Sequence, residues 1–129
     1  MGTDFEISIQ KKGEDVYLKL RGGFDGTSAY ELLYILQTHC NSGSQVFIHT
    51  SCLGTIYPFG LDVFRNNFDM LKGKSLDLVF TGEHASLLAP EKEALFDLTI
   101  STIPPVSQSE KTIQTSLSTK TINRVWHSL

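Results

Sequence analysis

The chain has 129 residues, with 11 Lys+Arg against 14 Asp+Glu, a formal net charge of −3 and two cysteines. That length suits one domain, and a hydrophobic content of 40% is enough to build a core, which excludes wholesale disorder. The slightly acidic balance argues against nucleic acid or an anionic membrane surface held by general electrostatics, no apolar run approaches the roughly 18 residues of a spanning helix, and two cysteines cannot make a disulfide scaffold.

The start, Met1 to Glu6, is acidic and has no basic n-region followed by an apolar stretch, so no secretory leader is expected. Phe5 to Gln10 alternates apolar and polar side chains, the period of a strand with one buried face, and Val16 to Arg21 alternates again. The polar, Gly-containing segment Lys11 to Asp15 between them reads as a turn, so the two strands form a hairpin. Gly22 to Gly26 carries three glycines in five positions and reads as a loop. Ser28-Ala29-Tyr30-Glu31 is a capping-box pattern that starts a helix. Ala29, Leu32, Leu33, Leu36 and Cys40 then follow at i, i+3, i+4, i+7 and i+11, one apolar face of that helix, which ends near Asn41 to Gly43.

Val46-Phe47-Ile48 is a continuous apolar run of β-formers, which suits a strand buried on both faces. Gly54 to Leu61 reads as a loop leading to a second helix from near Gly60, with Leu61, Phe64, Phe68 and Leu71 inward and Lys72-Gly73-Lys74 as its end. Leu76 to Phe80 is the next strand. Short helices are expected over His84 to Ala89 and Glu91 to Phe96, and a last strand over Leu98 to Ile100. The order β-β-α-β-α-β-α-β predicts an α/β fold, a mixed β-sheet of about five strands with helices packed against it. Composition changes near Pro104-Pro105: residues 102–129 hold ten Ser or Thr, three basic side chains and one acidic, against 8 basic and 13 acidic in 1–101. We therefore expect a folded domain over 1–101 and a Ser/Thr-rich tail over 102–129. The tail carries +2 and the domain −5, and the apolar residues Ile113, Leu117, Ile122, Val125 and Trp126 suit docking on the domain or on a partner.

No local pattern points to catalysis, a cofactor or a metal. His39, His49, His84 and His127 stand 10, 35 and 43 positions apart, and none pairs with a Cys, Asp or Glu at a ligand spacing. Cys40 and Cys52 lack the surroundings of an activated thiol and read as reduced, largely buried residues. Gly-x-Ser-x-Gly, Walker and Gly-x-Gly-x-x-Gly patterns are missing. Two segments read instead as binding surface. In the first, Asp25, Gly26 and Thr27 precede a helix, and Asp25 either caps backbone N–H groups or touches a partner. In the second, Tyr57, Pro58, Phe59, Gly60 and Leu61 offer aromatics at the end of the sheet, with Phe59 either tucked under the loop or presented with Tyr57. Arg65 is a solvent-facing candidate on the helix that follows.

Leu18 to Leu32 resembles the opening signature of the STAS domain, the anti-sigma factor antagonist family: Gly22, Asp25, Ala29, Glu31 and Leu32 match, and Phe24 replaces a leucine. Val46-Phe47-Ile48 falls on the family's central strand, Gly60-Leu61 on the Gly-Leu of its Asp-Ser-Ser-Gly-Leu switch motif, and Leu76 to Gly82 and Leu87-Leu88 resemble its fourth strand and following helix, so the resemblance spans about residues 4 to 101. The departures are as informative. His49 stands where the family's central strand ends in aspartate, and Tyr57, Pro58 and Phe59 replace Asp-Ser-Ser. In the family, phosphorylation of the switch hydroxyl, worth about −1.5 to −2 charge, controls binding to a kinase-type partner. Phe59 has no hydroxyl, and neither Ser51 nor Thr55 occupies the switch register.

The resemblance implies a non-enzymatic, cytoplasmic protein-interaction module of regulatory signalling and transcription control, with the phospho-switch lost. Its partner would be an anti-sigma factor or kinase-type regulator. It would have no cofactor, and homodimerisation through an exposed β edge stays open. The alternative is a cytoplasmic STAS accessory subunit of a lipid-transporting ABC system.

Overall fold

A computed structural model describes residues 5–89 and 99–103. Strands β1 (Glu6–Lys12) and β2 (Asp15–Phe24) form the expected antiparallel hairpin, with Ile7 opposite Leu20 and Ile9 opposite Leu18. Helix α1 (Gly26–His39) follows, then β3 (Gln45–His49), β4 (Leu53–Ile56), α2 (Pro58–Asn66), a 3-10 turn (Phe68–Leu71), β5 (Asp77–Thr81), α3 (Ala85–Leu88) and β6 (Thr99–Ile103). The sheet order is β1-β2-β3-β5-β6, with β4 paired to the end of β2. β2, β3, β5 and β6 run parallel, so the fold is α/β, with a mixed sheet of six strands and three helices among the described residues. No helix among the described residues is long and apolar enough to cross a membrane.

The parallel strands step in one direction across the sheet. Crossovers of a single hand then lay their helices on one face. The buried side chains show this arrangement. Val16, Leu18 and Leu20 of β2, Val46 and Ile48 of β3, and Leu78 and Phe80 of β5 belong to one core with α1, α2, the 3-10 turn and α3. Phe64 of α2 sits in its middle, edge-to-face against Phe24 at 6.0 Å, Phe68 at 4.9 Å and Phe80 at 6.2 Å between ring centroids. The opposite face carries a second, smaller cluster of Tyr17, Phe47 and Val79, with Ile103 packed against it.

Several expectations are corrected. Among the described residues the sheet has six strands rather than about five, because Leu53–Ile56 pairs with β2. Only Leu53 of β4 is buried, and its neighbours Gly54 and Thr55 are exposed, so the strand has no apolar alternation to read. Gly22, Gly23 and Phe24 belong to β2 rather than to a loop, and Gly22, at φ 97°, sits where the β2–β4 register shifts. α2 begins at Pro58, two residues before the expected start, with proline's fixed φ in its first turn. It stops at Asn66 rather than continuing to Lys72. The Asn67 amide donates to the Val63 carbonyl at 2.7 Å, and a 3-10 turn carries Phe68 and Leu71 into the core. Cys40 is buried as expected, but Cys52 is exposed, because it stands in the turn between β3 and β4. β6 runs to Ile103, across the 101/102 boundary drawn from composition. The helix expected over Glu91 to Phe96 and residues 104–129 lie outside the described residues.

Phe64 touches three aromatic rings from three different elements, so its truncation leaves a hole that no single element can close. Phe64→Ala is expected to lower unfolding free energy by about 3–5 kcal/mol, seen as a lower urea midpoint at unchanged m.

Candidate functional site

The two segments expected to bind come together at one end of the sheet, where the N-termini of α1 and α2 meet. β2 delivers the chain to Asp25, whose extended backbone makes it the N-cap of α1. Its Oδ1 accepts from the Ser28 backbone N–H at 3.0 Å. The Ser28 hydroxyl lies between that oxygen at 3.0 Å and the Gly23 carbonyl at 2.9 Å, and gives its single proton to one or the other. These bonds, the backbone one foremost, hold the Asp25 carboxyl below the usual carboxylate range. The cap is therefore Asp25 rather than Ser28, which is buried in the first turn; of the two readings of Asp25, the structure shows the capping one.

The second segment docks on the first through backbone. Tyr57 N–H donates to the Phe24 carbonyl at 3.0 Å, and the Tyr57 carbonyl accepts from Gly60 and Leu61 at 2.9 and 3.2 Å. Gly60 lies so close that a Cβ there would stand 2.8 Å from both the Phe24 carbonyl oxygen and the Asp25 carbonyl carbon. Gly26 makes room in turn for Phe59: a Cβ at Gly26 would come within 3.0 Å of the Phe59 ring.

The result is an aromatic surface. Phe59 is 69% exposed and Tyr57 42%, so Phe59 does not tuck beneath the chain, and both belong to the start of α2 rather than to a free loop. Pro58 is exposed beside them, while Gly60 is buried and Leu61 half-buried. Tyr30 and Tyr34, exposed by 50% and 58%, add two rings one turn apart on α1. Asp25, Gly26, Thr27, Tyr30, Phe59 and Val63 line a shallow groove of about 340 Å³. The two tyrosines of α1 were not singled out from the sequence, although both fall off the helix's apolar stripe. Arg65 is exposed but not free: its Nη2 donates to the Leu87 carbonyl at 2.6 Å and ties α2 to α3.

Beyond this surface, polar groups gather at the ends of β3 and β5. The Thr50 hydroxyl donates to the Thr81 carbonyl at 2.8 Å and accepts from the His84 backbone at 3.0 Å, and Ser51 Oγ accepts from the Glu83 backbone at 2.9 Å. His49 Nδ1 lies 2.9 Å from Thr81 Oγ1. Burial, helped by the Lys19 charge, pushes the His49 pKa down to about 4. These bonds pair polar groups at the ends of β3 and β5 with one another. Among the described residues, no group of three or more His, Cys, Asp or Glu is placed to hold a metal ion.

No protein-family model matches the chain, and neither does any curated protein.

Two measurements follow from this geometry. Gly60→Ala forces backbone apart at the α1–α2 junction and is expected to cost about 1–3 kcal/mol, read from urea unfolding. His49 is neutral in the folded chain down to about pH 4, whereas the unfolded chain takes up that proton near pH 6.5. Between those values the unfolded state binds more protons, so stability falls as pH drops from about 6.5 to about 4. Urea titrations across that window should show a shallower fall for His49→Gln than for wild type.

Proposed function

We propose that this chain is a STAS-like protein-interaction module that binds a regulatory protein partner through the surface where α1 and α2 begin. The observation that carries the reading is a shallow groove lined by the exposed rings of Tyr30 and Phe59, with Tyr57 exposed beside Phe59 and Tyr34 exposed one turn further along α1. Exposed rings held by rigid elements give contact area at little entropic cost, and such residues dominate binding energy at protein interfaces. The sequence resemblance from Leu18 to Leu32, the antiparallel β1 beside parallel strands, and the helices on one face support the family part of the reading. In this reading the module works in the cytoplasm with an anti-sigma factor or kinase-type regulator.

Recognition would not depend on phosphorylation at the switch register. Phe59 replaces the hydroxyl there, and Asp25 already fills the N-terminus of α1 with negative charge. The partner would therefore be met by apolar contact, with a groove on this chain and a complementary apolar side chain on the other.

Affinity purification with mass spectrometry names the partner, which is then titrated against purified wild type and Tyr57→Ala/Phe59→Ser. Both side chains are exposed, so the double variant should unfold within about 0.5 kcal/mol of wild type. We expect at least a tenfold rise in Kd, about 1.4 kcal/mol. An unchanged Kd with an intact fold rules out this face. Recovery of a transporter ATPase subunit in place of a regulator would favour the lipid-transport role.

A further inference from the structure

β1 is a sheet edge built without most of the devices that keep an edge single. Among the described residues its one neighbour is β2, paired in unbroken register from Glu6 to Lys12. Its 7 residues include no proline and no glycine, and no bulge interrupts them. Gly13 and Glu14 close the hairpin as a two-residue turn, with Gly13 at φ 63°. In such a hairpin the flanking residues, here Lys12 and Asp15, exchange ladder hydrogen bonds, and facing pairs alternate from there. Glu6, Ser8, Gln10 and Lys12 therefore turn their main-chain groups toward β2, and Ile7, Ile9 and Lys11 turn theirs outward. The side chains of Ile7 and Ile9 pack against the main core yet stay only half-buried, so apolar surface remains at this edge. The other face of β1 carries Glu6 and Lys12 at its two ends, both exposed. Each stands opposite a contrary charge on β2: Glu6 faces Arg21, with Oε1 3.9 Å from Nη1, and Lys12 faces Asp15.

From this arrangement we propose that two copies of the chain pair antiparallel through β1, about a two-fold axis at Ile9. In that register Ile9 meets the partner's Ile9, Ile7 meets the partner's Lys11, and Ser8 meets the partner's Gln10. The outward N–H and C=O groups of Ile7, Ile9 and Lys11 then all gain main-chain partners. Glu6 meets the partner's Lys12 at each end. Each row then runs Arg21, Glu6, the partner's Lys12 and the partner's Asp15, alternating in sign across both hairpins. A shift of two residues either way parts Glu6 from Lys12, and parallel pairing sets like charges together. The charges thus select one register. β6, the other edge among the described residues, is uncharged over Thr99–Ile103, so no such row selects a register there. Residues that face each other across a strand pair lie on one side of the sheet, so both copies keep their helices on the same face. The two candidate grooves then stand at opposite ends of the joined sheet, and the pairing does not rest on what those grooves bind. At the usual rise β1 is about 24 Å long, a small contact, so the association is reversible and concentration-dependent.

Sedimentation equilibrium of the full chain between about 1 μM and about 1 mM should show a monomer–dimer equilibrium. Glu6→Lys and Lys12→Glu each place like charges together at both ends of a self-dimer. Each should weaken self-association at least about tenfold. Mixed in equal amounts, the two variants bring opposite charges together again at both ends. The mixed dimer should therefore form within about threefold of wild-type affinity. Both positions are exposed, and far-ultraviolet circular dichroism checks that the variants are folded. Should either unfold, isotope-filtered nuclear Overhauser spectra of wild type decide the question, through a contact between the Ser8 and Gln10 Hα protons of different copies. A wild type that stays monomeric throughout, single variants that dimerise as well as wild type, or a mixture no tighter than its components would overturn the proposal. A dimer without the Ser8–Gln10 contact would overturn it as well.

Discussion

The structure around the candidate site depends on one contact between main chains, the approach of Gly60 to the Phe24 carbonyl and the Asp25 backbone. Two helices begin at this point, and any side chain larger than hydrogen at position 60 would hold them apart. Because they meet, the first turn of α2 lies against the N-cap of α1, and the next turn drops Phe64 among Phe24, Phe68 and Phe80. The same rotation of α2 that turns Phe64 inward turns Phe59 outward, since five residues along a helix lead to a different face. The packed interior and the exposed aromatic surface are thus two results of one approach.

Much of this was legible in the sequence, where a single periodicity dominated. The alternation of Phe5 to Gln10 and Val16 to Arg21, the Ala29–Cys40 stripe and the apolar run Val46-Phe47-Ile48 each correspond to an element, although β2 buries Tyr17 on the face opposite Val16 and Leu18. What escaped was settled by contacts between distant segments. β4 exists because Leu53 and Ile56 meet the end of β2, and its own residues alternate nothing. The cap of α1 was ambiguous because Asp25 and Ser28 both suit an N-cap, and the choice depends on where β2 ends. The glycine-rich stretch looked like a loop because composition cannot tell a strand with a register shift from a turn.

The candidate surface was legible in position but not in detail. Asp25 and the Tyr57–Gly60 segment could be located at the sheet's end from element order alone. Which aromatic was exposed depended on the start of α2, and that start moved once Pro58 opened the helix. Tyr30 and Tyr34 lie roughly 100° and 140° around α1 from Ala29, a signal present in the sequence but easily taken for ordinary solvent-facing tyrosines. Tyr30 gains its significance from Phe59, with which it lines the groove. The polar cluster at Thr50, Thr81 and His49 shows the converse case. Its residues are scattered in sequence, and their hydrogen bonds close off the ends of β3 and β5.

The two cysteines divide the chain's thiol chemistry. Cys40 ends the apolar stripe of α1, and burial raises its thiol pKa, so little reactive thiolate forms there. Cys52 stands in water at the turn before β4, and its carbonyl accepts the Gly22 N–H at 3.4 Å. A thiol-directed label on the native chain would therefore go to one position, beside the register shift of β2. An oxidant would first link two chains through that same turn, making an artefactual covalent pair during handling in air. The placement of one side chain thus gives the protein both a selective attachment point and a weakness in storage.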